Sequence, residues 1–205
     1  MDNSQHIILA SGSPRRRELL SLLGLPFEVI TSEADESTPP DFTPEQIVRS
    51  LALRKAEAVV AAAGERNAVI IGSDTIVVLD NTVLGKPVDE LDSKSMLTRL
   101  QGRNHKVYTG VACIGLPHGK TIVEHRVTSV TMRAMTENEI IAYIATGEPA
   151  DKAGSYAIQG LGSTLVERIE GCYFNVVGLP LSLLGEMLSE FGITVLNRWK
   201  LGKEG

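Results

Sequence analysis

The sequence predicts an α/β protein built around one mixed β-sheet. Short apolar runs that are typical of strands alternate with longer segments in which apolar residues recur at helical spacing, and this mixture continues along the whole chain. No internal repeat is present in the sequence. A chain of 205 residues can bury about 70% of its unfolded surface in one core. We therefore expect one domain, with room for two closely joined lobes.

The first half of the chain has clear signals for where its elements begin. Ser13 suits the N-cap of a helix whose first residue is Pro14, and Thr43 to Gln46 form a capping box with proline at the first helical position. An acidic loop without apolar periodicity covers residues 32–41. The predicted strands are 7–10, 27–31, 68–72 continued by 76–79, and 83–84, and the predicted helices begin at 14, at 44 (ending near 64) and at 89 (ending at 100).

The second half predicts three more strands and two helices. A second capping box, from Thr136 to Glu139, opens a helix that stops before Gly147. Residues 150–162 are rich in glycine and small side chains and are expected to be irregular. The predicted strands are 107–114, 122–132 and 165–169, and the last helix covers 179–191. Residues 197–205 form a polar tail in which the single tryptophan, Trp199, has no assigned role.

Charge and composition exclude several classes of protein. The net charge of −5 and the pI of about 5.4 give no overall basic field, so we expect no nucleic-acid partner and only a local phosphate site. No apolar run approaches the roughly 18 residues of a membrane span, and the first is too short for a signal peptide. We therefore expect a cytoplasmic protein without membrane attachment. Reduced thiols are expected at Cys113 and Cys172.

The turn at residues 11–16 has the features of an anion site. It follows an apolar strand and opens a helix, so free backbone N-H groups and the positive end of the helix dipole face the same space as Arg15 and Arg16. Ser11 and Ser13 belong to the same turn. The alternative is an ordinary capped surface helix with solvated arginines, and the local sequence leaves both interpretations open.

A carboxylate follows the apolar run of residues 69–72. Asp74 is expected at the mouth of a buried strand, where a charge is costly unless it meets a metal, a cation or a substrate. The alternative is a turn residue or a helix cap.

Three further charged residues complete the candidate chemistry. Glu36 lies in the acidic loop, Lys86 lies between Gly85 and Pro87, and Lys55 lies in a helix. Taken alone, Glu36 could be a solvated loop charge and Lys55 could lie on the solvent face of its helix. Taken with Asp74, the set suits phosphoryl transfer, in which carboxylates hold a divalent ion and polarise water while cations neutralise phosphate charge.

Two other motifs do not support an active site. Residues 115–121 resemble a P-loop, but three residues separate the glycines where four are required, and a strand follows. The four histidines show no metal-ligand spacing, and no nucleophile elbow is present.

Several motifs, in order, resemble those of the Maf family of nucleotide pyrophosphatases. The motifs are residues 9–16 (LASGSPRR), 72–75 (GSDT), 84–87 (LGKP), 151–160 (DKAGSYAIQG) and 177–181 (VGLPL). The resemblance implies the Maf/inosine-triphosphatase-like fold, an elongated mixed sheet flanked by helices with two lobes around a central cleft. It implies a single domain over residues 1–192 with a C-terminal extension over 193–205. Whether this extension contributes to a homodimer surface is left open at this point.

The family resemblance also implies an activity. Members hydrolyse nucleoside triphosphates to the monophosphate and pyrophosphate with a divalent metal, here Mg²⁺ or Mn²⁺, and their overproduction is linked to arrest of septum formation. The Ser-Asp-Thr and Ile-Gln-Gly motifs match the dTTP/UTP branch rather than the 7-methyl-GTP branch. The alternatives are that second branch, or a non-catalytic nucleotide sensor that regulates cell division; retention of all four charged residues argues against the sensor.

Residue roles are implied position by position. Asp74 matches the catalytic acid/base, and together with Glu36 it would hold the metal. The residues assigned to catalysis are Asp74, Glu36, Lys55 and Lys86, and those assigned to substrate binding are Ser11, Ser13, Arg15, Arg16, Thr75 and Gln159. Of the latter, Arg15, Thr75 and Gln159 match positions associated with base selectivity.

Overall fold

The computed structural model describes residues 5–31 and 33–196, and it has the predicted α/β architecture. Within these ranges the strands are β1 (His6–Ala10), β2 (Phe27–Val29), β3 (Ala68–Leu79), β4 (Thr82–Leu84), β5 (Asn104–Leu116), β6 (Lys120–Met132) and β7 (Val166–Glu170). The helices are α1 (Pro14–Ser21), α2 (Pro44–Glu57), α3 (Val60–Ala63), α4 (Glu90–Leu100), α5 (Glu137–Ala145), α6 (Tyr173–Val177) and α7 (Leu181–Ser189). The predicted polar tail, with Trp199, lies outside the described residues.

All seven strands belong to one mixed sheet, as predicted. Their order is β2-β1-β3-β5-β6-β7, with β4 paired to the second half of β3. β1 is parallel to both β2 and β3, whereas β3, β5, β6 and β7 pair antiparallel in sequence. The two capping boxes form as predicted at Thr43 and Thr136.

The helix predicted to run to about residue 64 is divided in two. α2 ends at Glu57 and α3 follows, ending at Gly64, whose φ is +66°. The last helix begins at Leu181 rather than 179. It is preceded by α6, which at five residues is too short for a helical period to be recognised in the sequence. Residues 150–162 are largely irregular, with two 3-10 segments, at Ala153–Ser155 and Gly160–Leu165.

Asp74 does not lie at the end of a strand, so that expectation was wrong. β3 is continuous from Ala68 to Leu79, because β5 pairs with it from Ala68 to Val78 and so keeps Ser73, Asp74 and Thr75 within the strand. The neighbour on the other side ends instead: β1 stops at Ala10, opposite Gly72, and β4 begins its pairing only at Val77. Asp74 therefore lies where the sheet is interrupted between β1 and β4.

The two faces of β3 are covered differently. Side chains at even positions, such as Ile70, face α2, whereas those at odd positions face the opposite side of the sheet. On that opposite side, one cluster packs α1 and α7 against the first half of β3, and another packs α4 and α5 against its second half. These two clusters form the lobes, and β3 and β5 run through both.

Two strand glycines allow α2 to lie directly on the sheet. A Cβ at Gly72 would stand 2.2 Å from the carbonyl oxygen of Ala52, and one at Gly110 would stand 2.1 Å from that of Val48. Because backbone atoms cannot move aside cheaply, only glycine fits at these positions. The close approach of α2 brings its last turn, with Lys55, over Asp74.

We expect Gly110→Ala to lower the free energy of unfolding by roughly 1–3 kcal/mol, because the new methyl group overpacks the contact between α2 and β5. Gly185→Ala is the matched control, since a Cβ there meets only one atom at 4.0 Å and alanine favours a helix interior. Denaturant unfolding measures both variants. Equal stability of Gly110→Ala and the wild type would contradict the close contact.

Candidate active site

A cleft of about 1240 Å³ contains every residue that the sequence assigns to the site. Its walls come from the start of α1, the loop before α2, α2 itself, the middle of β3, the loop after β4 and the segment that follows α5. The predicted residues that line it are Ser11, Ser13, Arg15, Arg16, Glu36, Lys55, Asp74, Thr75, Lys86 and Gln159. The fold thus brings together groups that are far apart in the sequence.

Lys55 joins the two predicted carboxylates. Its Nζ lies 2.5 Å from Oδ1 of Asp74 and 2.8 Å from Oε1 of Glu36. The side chains of Lys55 and Asp74 are only 17% and 11% exposed, so Lys55 is not on the solvent face of its helix. Burial of these charges is tolerable because they are paired.

Glu36 is more exposed but is not a free loop charge. The hydrogen bond from Lys55 lowers the pKa of Glu36 despite partial burial, and the charges of Lys55, Lys86 and Arg16 act in the same direction. The carboxylate is therefore ionised at neutral pH.

The loop that carries Glu36 is held by the residue before Lys55. Nη1 of Arg54 donates to the carbonyl oxygens of Asp35 and Ser37, at 3.1 and 2.6 Å, on either side of Glu36. The Asp35 carboxylate in turn accepts hydrogen bonds from the backbone N-H and the hydroxyl of Ser37. One turn of α2 therefore fixes both the backbone and the side chain at this position.

The turn before α1 forms as the sequence predicts. Ser13 is the N-cap, with its hydroxyl oxygen 3.5 Å from the N-H of Arg16, and Pro14 begins the helix. The hydroxyl of Ser11 accepts the N-H of Ser13 at 3.2 Å. This arrangement points the positive end of α1 toward the cleft.

Arg16 is held in place by three groups. Its Nε donates to the carbonyl oxygen of Gly178 at 2.9 Å, its Nη1 to Oγ of Ser11 at 3.4 Å, and its Nη2 to Oγ1 of Thr75 at 3.1 Å. Burial lowers the pKa of Arg16, with the Asp74 charge opposing that shift. The alternative of an ordinary solvated arginine is wrong here, and two of the five guanidinium N-H groups remain for an anion.

Arg15 has different neighbours in the cleft from those of Arg16. It is half-buried, which lowers the pKa of its guanidinium, while Asp151, Tyr143 and Glu148 act in the opposite direction. Among the described residues it makes no side-chain hydrogen bond. A cation that is partly desolvated and unbonded in a cleft is suited to bind an anionic ligand.

Thr75 follows Asp74 in sequence, but its side chain lies on the opposite face of β3. Thr109 donates its hydroxyl hydrogen to the carbonyl oxygen of Asn175 at 2.8 Å, so the 2.9 Å contact between Thr75 and Thr109 has Thr75 as donor. The hydroxyl of Thr75 accepts from Arg16 as well. Its contacts in the structure therefore orient the arginine.

Lys86 and Gln159 lie on loops that are tied together. The N-H of Gly154 donates to the carbonyl oxygen of Gly85 at 3.0 Å. Lys86 is exposed, Gln159 is half-buried, and neither side chain hydrogen-bonds to another described residue. Both can therefore contact a ligand without breaking an existing bond.

Three further residues lie at or near this site and were not predicted. Asp151 and Lys152 line the cleft, and Arg54 holds the Glu36 loop. Asp151 and Lys152 begin one of the quoted motifs, which was the available signal. Arg54 had none, since its role depends on where the loop packs.

Four carboxylates line the cleft, those of Glu33, Glu36, Asp74 and Asp151, and Lys55 brings Glu36 and Asp74 together. In the part of the chain that the structure describes, no group of three or more His, Cys, Asp or Glu residues could hold a metal. Two carboxylates nevertheless fit Mg²⁺ or Mn²⁺, because Mg²⁺ is commonly held by one or two carboxylates together with substrate phosphates and water. The donor set fits a metal that is shared with a nucleotide.

Two other expectations concern the whole molecule. No helix in residues 5–31 and 33–196 is long and apolar enough to cross a membrane. Cys113 and Cys172 are both free thiols, as predicted, and burial raises the pKa of Cys113 to about 12.

Comparison with known proteins gives a consistent result. The family model described as Maf-like protein matches residues 6–191. A protein of Pelotomaculum thermopropionicum named dTTP/UTP pyrophosphatase is 49% identical over 192 residues, covering 94% of this chain and 100% of that protein. A protein of Moorella thermoacetica with the same name is 53% identical over 192 residues, covering 94% and 98%.

The solved structure of the Staphylococcus aureus Ham1 protein is a weaker likeness. Its TM-score is 0.42 at 16% identity, covering 62% of this chain and 72% of that one. A score this low does not establish a shared fold.

Proposed function

The chain belongs to the family of Maf-like proteins, and from that premise we propose that it hydrolyses dTTP and UTP to the nucleoside monophosphate and pyrophosphate. One observation carries the proposal. Lys55 pairs with both Glu36 and Asp74 in the same cleft that holds the basic start of α1, so acid, base and phosphate-binding groups meet at one place.

The triphosphate is bound by the start of α1. Arg15 and the two remaining N-H groups of Arg16 grip phosphate oxygens, aided by the helix dipole and the turn of Ser11 and Ser13. Lys55 and Lys86 offset the negative charge that develops on the phosphoryl oxygens during the reaction. The hydrogen bond from Arg16 to the hydroxyl of Thr75 keeps the guanidinium plane fixed before the nucleotide enters.

Hydrolysis needs a water molecule and a proton acceptor. Oδ1 of Asp74 accepts a hydrogen bond from Nζ of Lys55, whereas no described residue donates a hydrogen bond to Oδ2. In the proposed step, Oδ2 accepts a proton as the water oxygen bonds to the α-phosphorus, and the bond from that phosphorus to the bridging oxygen breaks to release pyrophosphate. Glu36 and Asp74 would hold a divalent cation, which when bound polarises the phosphoryl oxygens.

We expect Arg15→Lys and Arg16→Lys each to weaken triphosphate binding by about 10-fold, because lysine keeps the charge but loses the planar fork that binds two oxygens. Arg17→Lys, at the exposed neighbouring position of α1, is the control. Titration with the metal-nucleotide complex measures all three. Unchanged affinity in both cleft variants would mean that neither guanidinium binds the triphosphate.

The products identify the reaction. Incubation with UTP and Mg²⁺ or Mn²⁺ is expected to give UMP and pyrophosphate in equal amounts, without orthophosphate. Binding of UTP without turnover would instead support a non-catalytic nucleotide sensor.

A further inference from the structure

The carboxylate of Glu148 lies within the loop that carries Gln159. Oε2 accepts the N-H of Leu161 at 2.9 Å, and Oε1 accepts the N-H of Gly162 at 2.8 Å and the hydroxyl of Tyr143 at 2.9 Å. Partial burial opposes ionisation, but the hydrogen bonds from Gly162, Leu161 and Tyr143 outweigh it and lower the pKa of Glu148. A charged acceptor with three donors is among the stronger local anchors in a protein.

Tyr143 extends this anchor to the other side of Gln159. Its hydroxyl oxygen accepts the N-H of Ala157 at 3.1 Å while its hydrogen goes to Glu148. Tyr143 is buried in α5 and packs in the core of the second lobe. The backbone is therefore fixed at 157 and again at 161–162, on either side of the glutamine.

The loop fits closely around this carboxylate. A Cβ at Gly160 would stand 2.6 Å from Oε2 of Glu148, and one at Gly162 would stand 2.2 Å from the carbonyl oxygen of Ala157. Gly160 also has a φ of +64°, a conformation that favours glycine. A side chain at Gly160 would thus displace the Glu148 carboxylate, whereas Gly162 is required by the close approach of the loop's own backbone at Ala157.

Glu148 itself is held at the end of α5. Its N-H donates to Oγ1 of Thr146 at 3.1 Å, and that hydroxyl donates to the carbonyl oxygen of Tyr143 at 2.7 Å. The anchor therefore rests on a helix of the second lobe, and the position of Gln159 in the cleft depends on it.

We propose that Glu148, acting with Tyr143, is the positioning residue that sets base selectivity, because it fixes the Gln159 loop against the cleft. The proposal rests on the proposed function, since Gln159 must contact a pyrimidine base for its position to matter. Glu148 makes no contact with the reacting phosphate in this scheme, so its loss should alter the choice of base more than the chemistry.

Glu148→Gln tests the proposal, because the amide presents N-H groups where the carboxylate accepts them. We expect the ratio of kcat/KM for dTTP over CTP to fall about 10-fold or more, with KM for dTTP rising and kcat changing much less. Amide exchange at Leu161 and Gly162 should accelerate. Tyr143→Phe should also lower the dTTP/CTP ratio and accelerate amide exchange at these two residues. If Glu148→Gln does not fold, Tyr143→Phe is the variant that tests the proposal.

Glu139→Gln is the matched control. Glu139 lies on α5, the helix that carries Tyr143, and accepts three comparable hydrogen bonds, from Arg133 and Thr136, but none from the Gln159 loop. We expect it to lower stability and leave the dTTP/CTP ratio as in the wild type.

An unchanged ratio in folded Glu148→Gln would overturn the proposal, as would unchanged amide exchange at 161 and 162. Absence of any preference of the wild type for dTTP and UTP over the other nucleotides would instead overturn the proposed function, so the two failures are distinguishable.

Discussion

Asp74→Asn is expected to lower turnover by about 100-fold or more while the protein stays folded, because the amide cannot accept the proton of the attacking water. Lys55 keeps Glu36 as an ionic partner in this variant, so the buried ammonium is not left alone. Turnover is measured as pyrophosphate release with dTTP, and folding is checked by thermal unfolding.

Asp80→Asn serves as the control for this experiment. Asp80 follows the same strand and pairs with Arg103 at 2.7 Å on the surface, so it undergoes the same chemical change outside the cleft. Near-normal turnover of Asp74→Asn would mean that the carboxylate is structural and that the proposed mechanism is wrong.

Gln159→Glu is expected to lower kcat/KM for dTTP by roughly 100-fold, with little effect on stability. Thymine and uracil present a carbonyl oxygen and a ring N-H on one edge, and an amide can donate to the first and accept from the second. A carboxylate loses the donor and places a negative charge against the carbonyl oxygen.

Gln46→Glu is the control for this substitution. Gln46 is exposed at the third position of α2, where glutamate also completes a capping box, so activity should be unchanged. If Gln159→Glu retains wild-type kcat/KM for dTTP, then Gln159 is a loop residue without contact to the base.

Local features of the fold could be predicted because their causes are local. Ser13 with Pro14, and the two capping boxes, bind their own backbone within three residues, so the sequence contains both partners. Eight of the ten candidate site residues lie in the ordered motifs, Glu36 and Lys55 lie outside them, and the fold brings all ten to one cleft.

Features that depend on a distant partner could not be predicted. The continuation of β3 through Asp74 depends on β5, and the burial of Lys55 depends on the glycines that let α2 lie on the sheet. The hydrogen bond between Arg16 and Thr75 joins residues 59 positions apart, and the sequence around neither residue predicts it. Such contacts follow from packing and register rather than from local pattern.

The most direct test of the account is kcat/KM for pyrophosphate release from dTTP, UTP, CTP, ATP, GTP and 7-methyl-GTP under one metal condition. We expect dTTP and UTP to exceed the other four by about 10-fold or more, because cytosine and adenine lack the carbonyl oxygen and ring N-H of thymine and uracil and would leave polar groups of the site unpaired, and because the two guanine nucleotides have a larger ring system to fit. A preference for 7-methyl-GTP or GTP would contradict the pyrimidine assignment, and absence of pyrophosphate from every nucleotide would contradict the proposed reaction itself.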